Sequence, residues 1–213
     1  AIVVAEDIPP RVHQGLGGLH VIHGGKTLVY GEDKCFDWKV QDTERECRVF
    51  RQVLVTYPLD APPGVSPTVV TEVGDFHGAN RPQWSWDEKN IAFDAFPEGR
   101  QGRTQIYVMD RDGGSVRHLT AETEGQNGAR AASWSPDNSQ IVYFSDRESF
   151  SWDIWLMNAD GSGTQNLTKG QVKFPSGPKF SPDGRRILFY ANDDEPAAGR
   201  RGGSDSELWI MDR

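Results

Sequence analysis

The sequence predicts an all-β fold, a β-propeller of four-stranded antiparallel blades, and three observations carry that prediction. An aromatic-Ser-X-Asp motif occurs three times, as Trp84-Ser85-Trp86-Asp87, Trp134-Ser135-Pro136-Asp137 and Phe180-Ser181-Pro182-Asp183. Four residues after each Asp an apolar run begins, at Ile91, Ile141 and Ile187, at intervals of 50 and 46 residues, which is the range of propeller blades. Each copy then reaches a second apolar run that closes on an acidic or amide residue, at 106–110, 154–158 and 208–212.

A fourth, degenerate copy precedes these. Aligning Leu28-Val29-Tyr30 with Ile91-Ala92-Phe93 puts Val21 under Trp84, and the second strand of this unit is read at 53–57. Between its two strands lies a long insert that contains both cysteines. Pairing of the flanking runs as a hairpin would set Cys35 and Cys47 face to face near the tip. A disulfide there closes a loop of about 12 residues and stabilises by roughly 3 kcal/mol, and it implies an oxidising compartment. Two free thiols in a cytosolic protein are the alternative. A zinc site is not expected, because two Cys without a His pair make an incomplete ligand set.

After the second strand, three units carry a Gly-containing turn and a short third run, at 68–70, 116–120 and 165–168. The turns follow from their residues: Pro136-Asp137-Asn138 and Pro182-Asp183-Gly184 set the first hairpin, and Asp112-Gly113-Gly114 and Asp160-Gly161-Ser162 the last. The final unit lacks a third run, and Ile2-Val3-Val4 stands at the spacing that would fill its slot. The expectation is a single domain over 1–213 with blades at 17–73, 82–121, 132–169 and 178–213, closed into a four-bladed ring by residues 1–6, which removes an unpaired edge. The alternative is part of a larger ring, for example a six-bladed one. Trp84, Trp134 and Phe180 are expected to pack between blades, with Trp155 and Trp209 also in the core.

The repeat Trp-Ser-Pro-Asp…Ile-X-Phe…Ile-Tyr-Val-Met-Asp…Leu-Thr, carried by residues 82–213, resembles the TolB-type (WD-like) β-propeller repeat. That repeat is similar to those of the periplasmic TolB protein, of prolyl-oligopeptidase-like peptidases and of oligogalacturonate lyases. The resemblance implies the fold and is poor in functional detail. TolB-type rings usually have six blades, so four copies are a departure.

Composition bounds the function. A chain of 213 residues, 36% hydrophobic with 23 Gly and 13 Pro, suits short strands joined by tight turns, enough for one good-sized core. A net charge of −8 argues against a nucleic-acid partner, which needs clustered Lys and Arg. No apolar run approaches the 18 residues of a transmembrane segment. The chain opens at Ala1 without Met, as expected where an upstream segment, a secretory signal among the options, has been removed or left out. There is no Gly-X-Ser-X-Gly elbow and no phosphate-binding Gly loop. The Asn166-Leu167-Thr168 sequon coincides with the Leu-Thr of the repeat and is read as structural.

Blade topology sorts the connections onto two faces. One face carries short, near-identical turns; the other carries hairpin loops 31–50, 94–104, 145–152 and 191–206, and links 5–18, 74–82, 121–131 and 169–177. Binding residues concentrate on long loops held by a rigid frame. The candidates there are Phe36, Trp38, Phe96, Arg103, Arg147, Phe150, Trp152, Asp193 and Asp194, since aromatics beside charged groups grip a partner peptide or stack on sugars. Asp146, Asp153, Asp193, Asp194, Asp205 and Glu207 are oxygen ligands of the type Ca²⁺ takes, but none lies in a regularly spaced calcium loop, and the five His are scattered. No metal or other cofactor is therefore expected, Ca²⁺ being the one kept open. The reading is a non-catalytic, exported propeller, periplasmic or extracellular, that binds a protein partner through its loop face, within an envelope or membrane-associated assembly. The alternative is a polysaccharide-binding or polysaccharide-cleaving propeller with a glycan in the same loops.

Overall fold

The computed structural model describes residues 17–21, 25–41, 44–71, 76–97, 103–120, 128–148, 151–192 and 206–213. These residues form strands and turns without a helix. The first sheet runs β1 (Gly17–His20), β2 (Thr27–Gln41), β3 (Glu44–Pro58) and β4 (Thr68–Val69). The second holds β5 (Phe76–Trp84), β6 (Asn90–Pro97), β7 (Gln105–Asp110) and β8 (Arg117–His118), and the third β9 (Ala129–Trp134), β10 (Gln140–Ser145), β11 (Asp153–Asn158) and β12 (Gln165–Asn166). The fourth has three described strands, β13 (Ser176–Phe180), β14 (Arg186–Asn192) and β15 (Ser206–Asp212). All neighbours within a sheet are antiparallel.

The Ser-X-Asp motif staples the first turn of three blades by one scheme. The hydroxyl of Ser85, Ser135 or Ser181 donates to Asp87, Asp137 or Asp183 at 2.5–2.7 Å. The same hydroxyl accepts the backbone N–H five residues on, at Asn90, Gln140 and Arg186. Each Asp also accepts an N–H two residues on, from Lys89, Ser139 or Arg185, the Asx-turn geometry that makes Asp a turn residue. A second staple holds the short outer strands. Thr71, Thr120 and Thr168 accept the N–H of Leu54, Ile106 and Ile154 at 2.9–3.0 Å. Thr168 is buried and also donates to Asp153, so the sequon position serves the fold.

Three apolar layers weld the blades. Trp84 packs with Val29 and Leu54 of the preceding blade, Trp134 with Ala92, Ile106 and Leu119, and Phe180 with Val142, Ile154 and Leu156. Their exposures of 2%, 4% and 8% bear out the wedge role read from the sequence. Gly113 shows how tightly neighbouring blades meet. At φ +88°, a Cβ there would stand 1.9 Å from the carbonyl oxygen of Val70 in the preceding blade.

The structure corrects several expectations. Trp209 is 36% exposed, and Leu208 and Ile210 more so, because among the described residues no further sheet covers that side of β15. The outer edge of β15 pairs with no described strand. Residues 1–6, expected to close the ring there, lie outside the described residues, so the described sheets form an arc rather than a closed circle. Val21, placed under Trp84 by alignment, is 39% exposed for the matching reason at the other end. The insert 31–50 is not a loop: β2 and β3 continue as a two-stranded ribbon paired out to Gln41 and Glu44. Its register sets Cys35 opposite Phe50 and Cys47 opposite Trp38, so the two cysteines do not stand directly opposite each other; the pairing of Gln41 with Glu44 fixes this register, and the irregularities beside Asp37 cancel.

Candidate functional site

The first strands of successive sheets, β1, β5, β9 and β13, contact one another and line the axis of the arc. Where β5 and β9 meet on the loop side, the chain builds a charged cluster on a rigid base. The inner strands carry a bulge three residues before the Trp or Phe wedge, with positive φ at Arg81 (47°), Ala131 (51°) and Gly177 (58°). The bulge turns a backbone donor out of the ladder: the Ala131 N–H meets Asp94 Oδ1 at 3.2 Å.

Asp94 has a fully buried side chain and accepts Arg81 Nη1 on its other oxygen at 2.7 Å. Burial pushes the Asp94 carboxyl up against the opposing pull of Arg81. One blade on, Asp146 repeats the arrangement. Its carboxylate is fully buried, accepts the Gly128 N–H at 2.6 Å and pairs with Arg103. Arg130 lies between the two, donating from Nε to Thr104 at 2.8 Å. Burial and the nearby Arg81 push its guanidinium down, as expected where three guanidinium groups crowd two carboxylates.

An aromatic wall completes the cluster. Trp152 packs on Phe144 at 4.9 Å between centroids and takes the Arg130 guanidinium over its ring at 5.5 Å. A Cβ at Gly128 would stand 3.1 Å from Arg103 Cβ and 3.2 Å from Trp152 Cη2, so these two side chains meet over a bare backbone. The Arg81 and Arg103 side chains remain 45% and 44% exposed, leaving donors of each planar fork toward solvent. Held by buried carboxylates, both present fixed N–H groups, those of Arg103 beside the Trp152 ring. That suits recognition of carboxylate, carbonyl or aromatic groups.

Of the residues expected from the sequence, Arg103 and Trp152 come together here. Phe96 covers Gly78 of its own blade, 3.3 Å from a Cβ built there. Arg147 lies over the Trp155 ring at 4.9 Å, so it braces blade 3. Phe36 and Trp38 sit on the ribbon strand β2. Phe150, Asp193 and Asp194 lie outside the described residues. Arg81, Asp94 and Arg130 fall at the margins of segments 74–82, 94–104 and 121–131 of the expected loop face, but they stand on β5, β6 and β9 and nothing in their local sequence sets them apart from the other charged residues there.

Among the described residues no group of three or more His, Cys, Asp or Glu is placed to hold a metal, and no helix is long and apolar enough to cross a membrane.

The sequence profile of the TolB beta propeller domain matches residues 68–198. An uncharacterized protein of Agrobacterium fabrum (strain C58) is 33% identical over 91 residues, which cover 43% of this chain and 29% of that protein. A solved structure of putative TolB from Agrobacterium tumefaciens has a TM-score of 0.65 at 22% identity, covering 94% of this chain and 59% of that one. TolB from Acinetobacter baumannii gives 0.62 at 21% identity, covering 93% and 41%. The chain thus spans less than two thirds of the length of these proteins, and likeness at such identity concerns the fold.

Proposed function

The chain belongs to the TolB beta propeller domain family, and from that premise we propose that it is a non-catalytic, exported propeller that binds a protein partner through its loop face. One observation carries this reading: Arg103, held by the buried Asp146 carboxylate, and Arg130 flank Trp152 on a rigid base, with Arg81 held in the same way by the buried Asp94. The site has the composition of a binding hot spot, Arg and Trp on a rigid support. The same observation argues against hydrolysis of a glycan at this cluster. Asp94 and Asp146 are buried and committed to arginines, so neither is free to serve as acid or base toward a sugar.

Export to the periplasm or beyond, and a place in an envelope assembly, belong to the same proposal and rest on the resemblance to the periplasmic TolB protein. Affinity capture from the native source, run in parallel with wild type and Trp152→Ala, tests the reading. A protein retained by wild type and lost from the variant supports it. A protein captured equally by both, or a polysaccharide in its place, refutes it.

A further inference from the structure

The four residues that immediately precede Val21, Trp84, Trp134 and Phe180 are His20, Gln83, Ser133 and Lys179. One step along each first strand, they fall on the side that faces the axis, and all four line a single cavity of about 230 Å³. The cavity lies at the turn-side ends of these strands, away from the loop-face cluster, and nothing in the loop-face reading requires it.

Its chemistry is lopsided. Lys179 reaches across to donate to Gln83 Oε1 at 2.6 Å, and no carboxylate belongs to the lining. Among the described residues Lys179 forms no ion pair. Desolvation beside the cavity lowers its ammonium to about 8, which leaves it charged at neutral pH; the residue is open to solvent as well as to the cavity, so a ligand's anion can reach it. His20 adds no second positive charge. Its Nδ1 accepts the Trp84 N–H at 2.9 Å, and burial, with Lys179 nearby, holds it at about 4, hence neutral.

The remaining lining is aromatic. The indole N–H groups of Trp84 and Trp134 are buried without a partner among the described residues, and both rings line the cavity. Buried donors of this kind ordinarily find an acceptor. Trp86 is the one departure from the repeat at its position, where the other copies carry Pro136 and Pro182. Its backbone N–H is tied to Asn138 Oδ1 at 2.6 Å, and its side chain, 40% exposed, stands in the lining.

We propose that this axial cavity binds an organic carboxylate with a compact apolar or aromatic body, the anion meeting Lys179 and the body packing against Trp86, Trp84, Trp134 and Phe180. The carboxylate belongs either to the C-terminus of a peptide or to a free acid.

The test titrates the chain with N-acetyl-phenylalanine, its amide, and 3-phenylpropionate, followed by tryptophan fluorescence and calorimetry. Both acids are expected to saturate, and the amide to bind at least about tenfold more weakly, the scale of a charge-assisted hydrogen bond. Lys179→Met should erase the difference between acid and amide, and Lys179→Arg should keep it. Trp86→Ala, which keeps the backbone N–H that meets Asn138, should keep the fold and weaken both acids. Tighter binding of the acetylated amino acid assigns the cavity to a peptide terminus; tighter binding of phenylpropionate assigns it to a free acid. Absence of saturation, equal binding of the amide, or undiminished acid binding by Lys179→Met overturns the proposal.

Discussion

Arg103, just before the third strand of the second blade, pairs with the fully buried carboxylate of Asp146 in the third. The pair ties two blades on the loop side and fixes the guanidinium beside Trp152. Replacing Arg103 by Met leaves Asp146 buried with only the Gly128 N–H. The expected cost is about 2 kcal/mol, below that of a fully buried pair because Arg103 is partly exposed. Asp146→Asn keeps an acceptor for Gly128 and should cost less. Urea unfolding of the two variants measures the order.

Gly113 should tolerate no side chain. A Cβ would overlap the Val70 carbonyl, backbone that cannot step aside, whereas Gly64, with similar positive φ, has nothing within 4 Å of that position. Gly113→Ala is therefore expected to destabilise by about 3 kcal/mol or more, and Gly64→Ala by only about 1 kcal/mol of backbone strain. Thermal unfolding of the pair separates a clash between blades from a local preference.

Ala131 carries the opposite prediction. It sits at φ 51° where the fourth blade uses Gly177 at φ 58°. Ala131→Gly removes the left-handed strain and keeps the N–H that serves Asp94, so it should raise stability by up to about 1 kcal/mol. A lower midpoint in denaturant would show that the bulge is not strained.

Acid stability should follow the turn staples. Hydrogen bonds from Ser135 and Ser139 hold Asp137 at about 2; Asp87 and Asp183 are also lowered, with hydrogen bonds from Ser85 and Ser181 opposing burial. A carboxyl depressed in the folded state contributes stability that is present above its unfolded value near 3.8 and is lost as pH falls through the folded value. Ser135→Ala should move the Asp137 titration back toward the ordinary range, so that acid unfolding begins at higher pH. These carboxylates are near the surface, and salt will shrink the shift. An unchanged acid midpoint at low salt would remove the staple from the explanation.

The fold was legible where one residue type recurs at one spacing. Trp84, Trp134 and Phe180 each wedge against the preceding blade, so a repeat in sequence becomes a repeat in packing. The exposure of Trp209 was not legible, since it depends on whether another sheet lies beyond β15. The Asp94–Arg81–Ala131 and Asp146–Arg103–Gly128 contacts were not legible either. They join residues 13 to 43 positions apart, across a blade boundary and through a bulge that hydrophobic periodicity does not mark. Arg103 and Trp152 stand out in sequence as an Arg and a Trp in hairpin loops; Arg130, at the end of the link 121–131, gains its place only from Thr104 and Trp152, which the fold brings to it.

The most direct measurement is the affinity of the captured partner for wild type and for Arg130→Gln/Trp152→Ala, two changes that leave both buried carboxylates paired. Calorimetry should show the double variant, still folded by circular dichroism, binding about 30-fold or more weakly, near 2 kcal/mol. Equal affinity for the two folded proteins would contradict a partner site at the loop-face cluster.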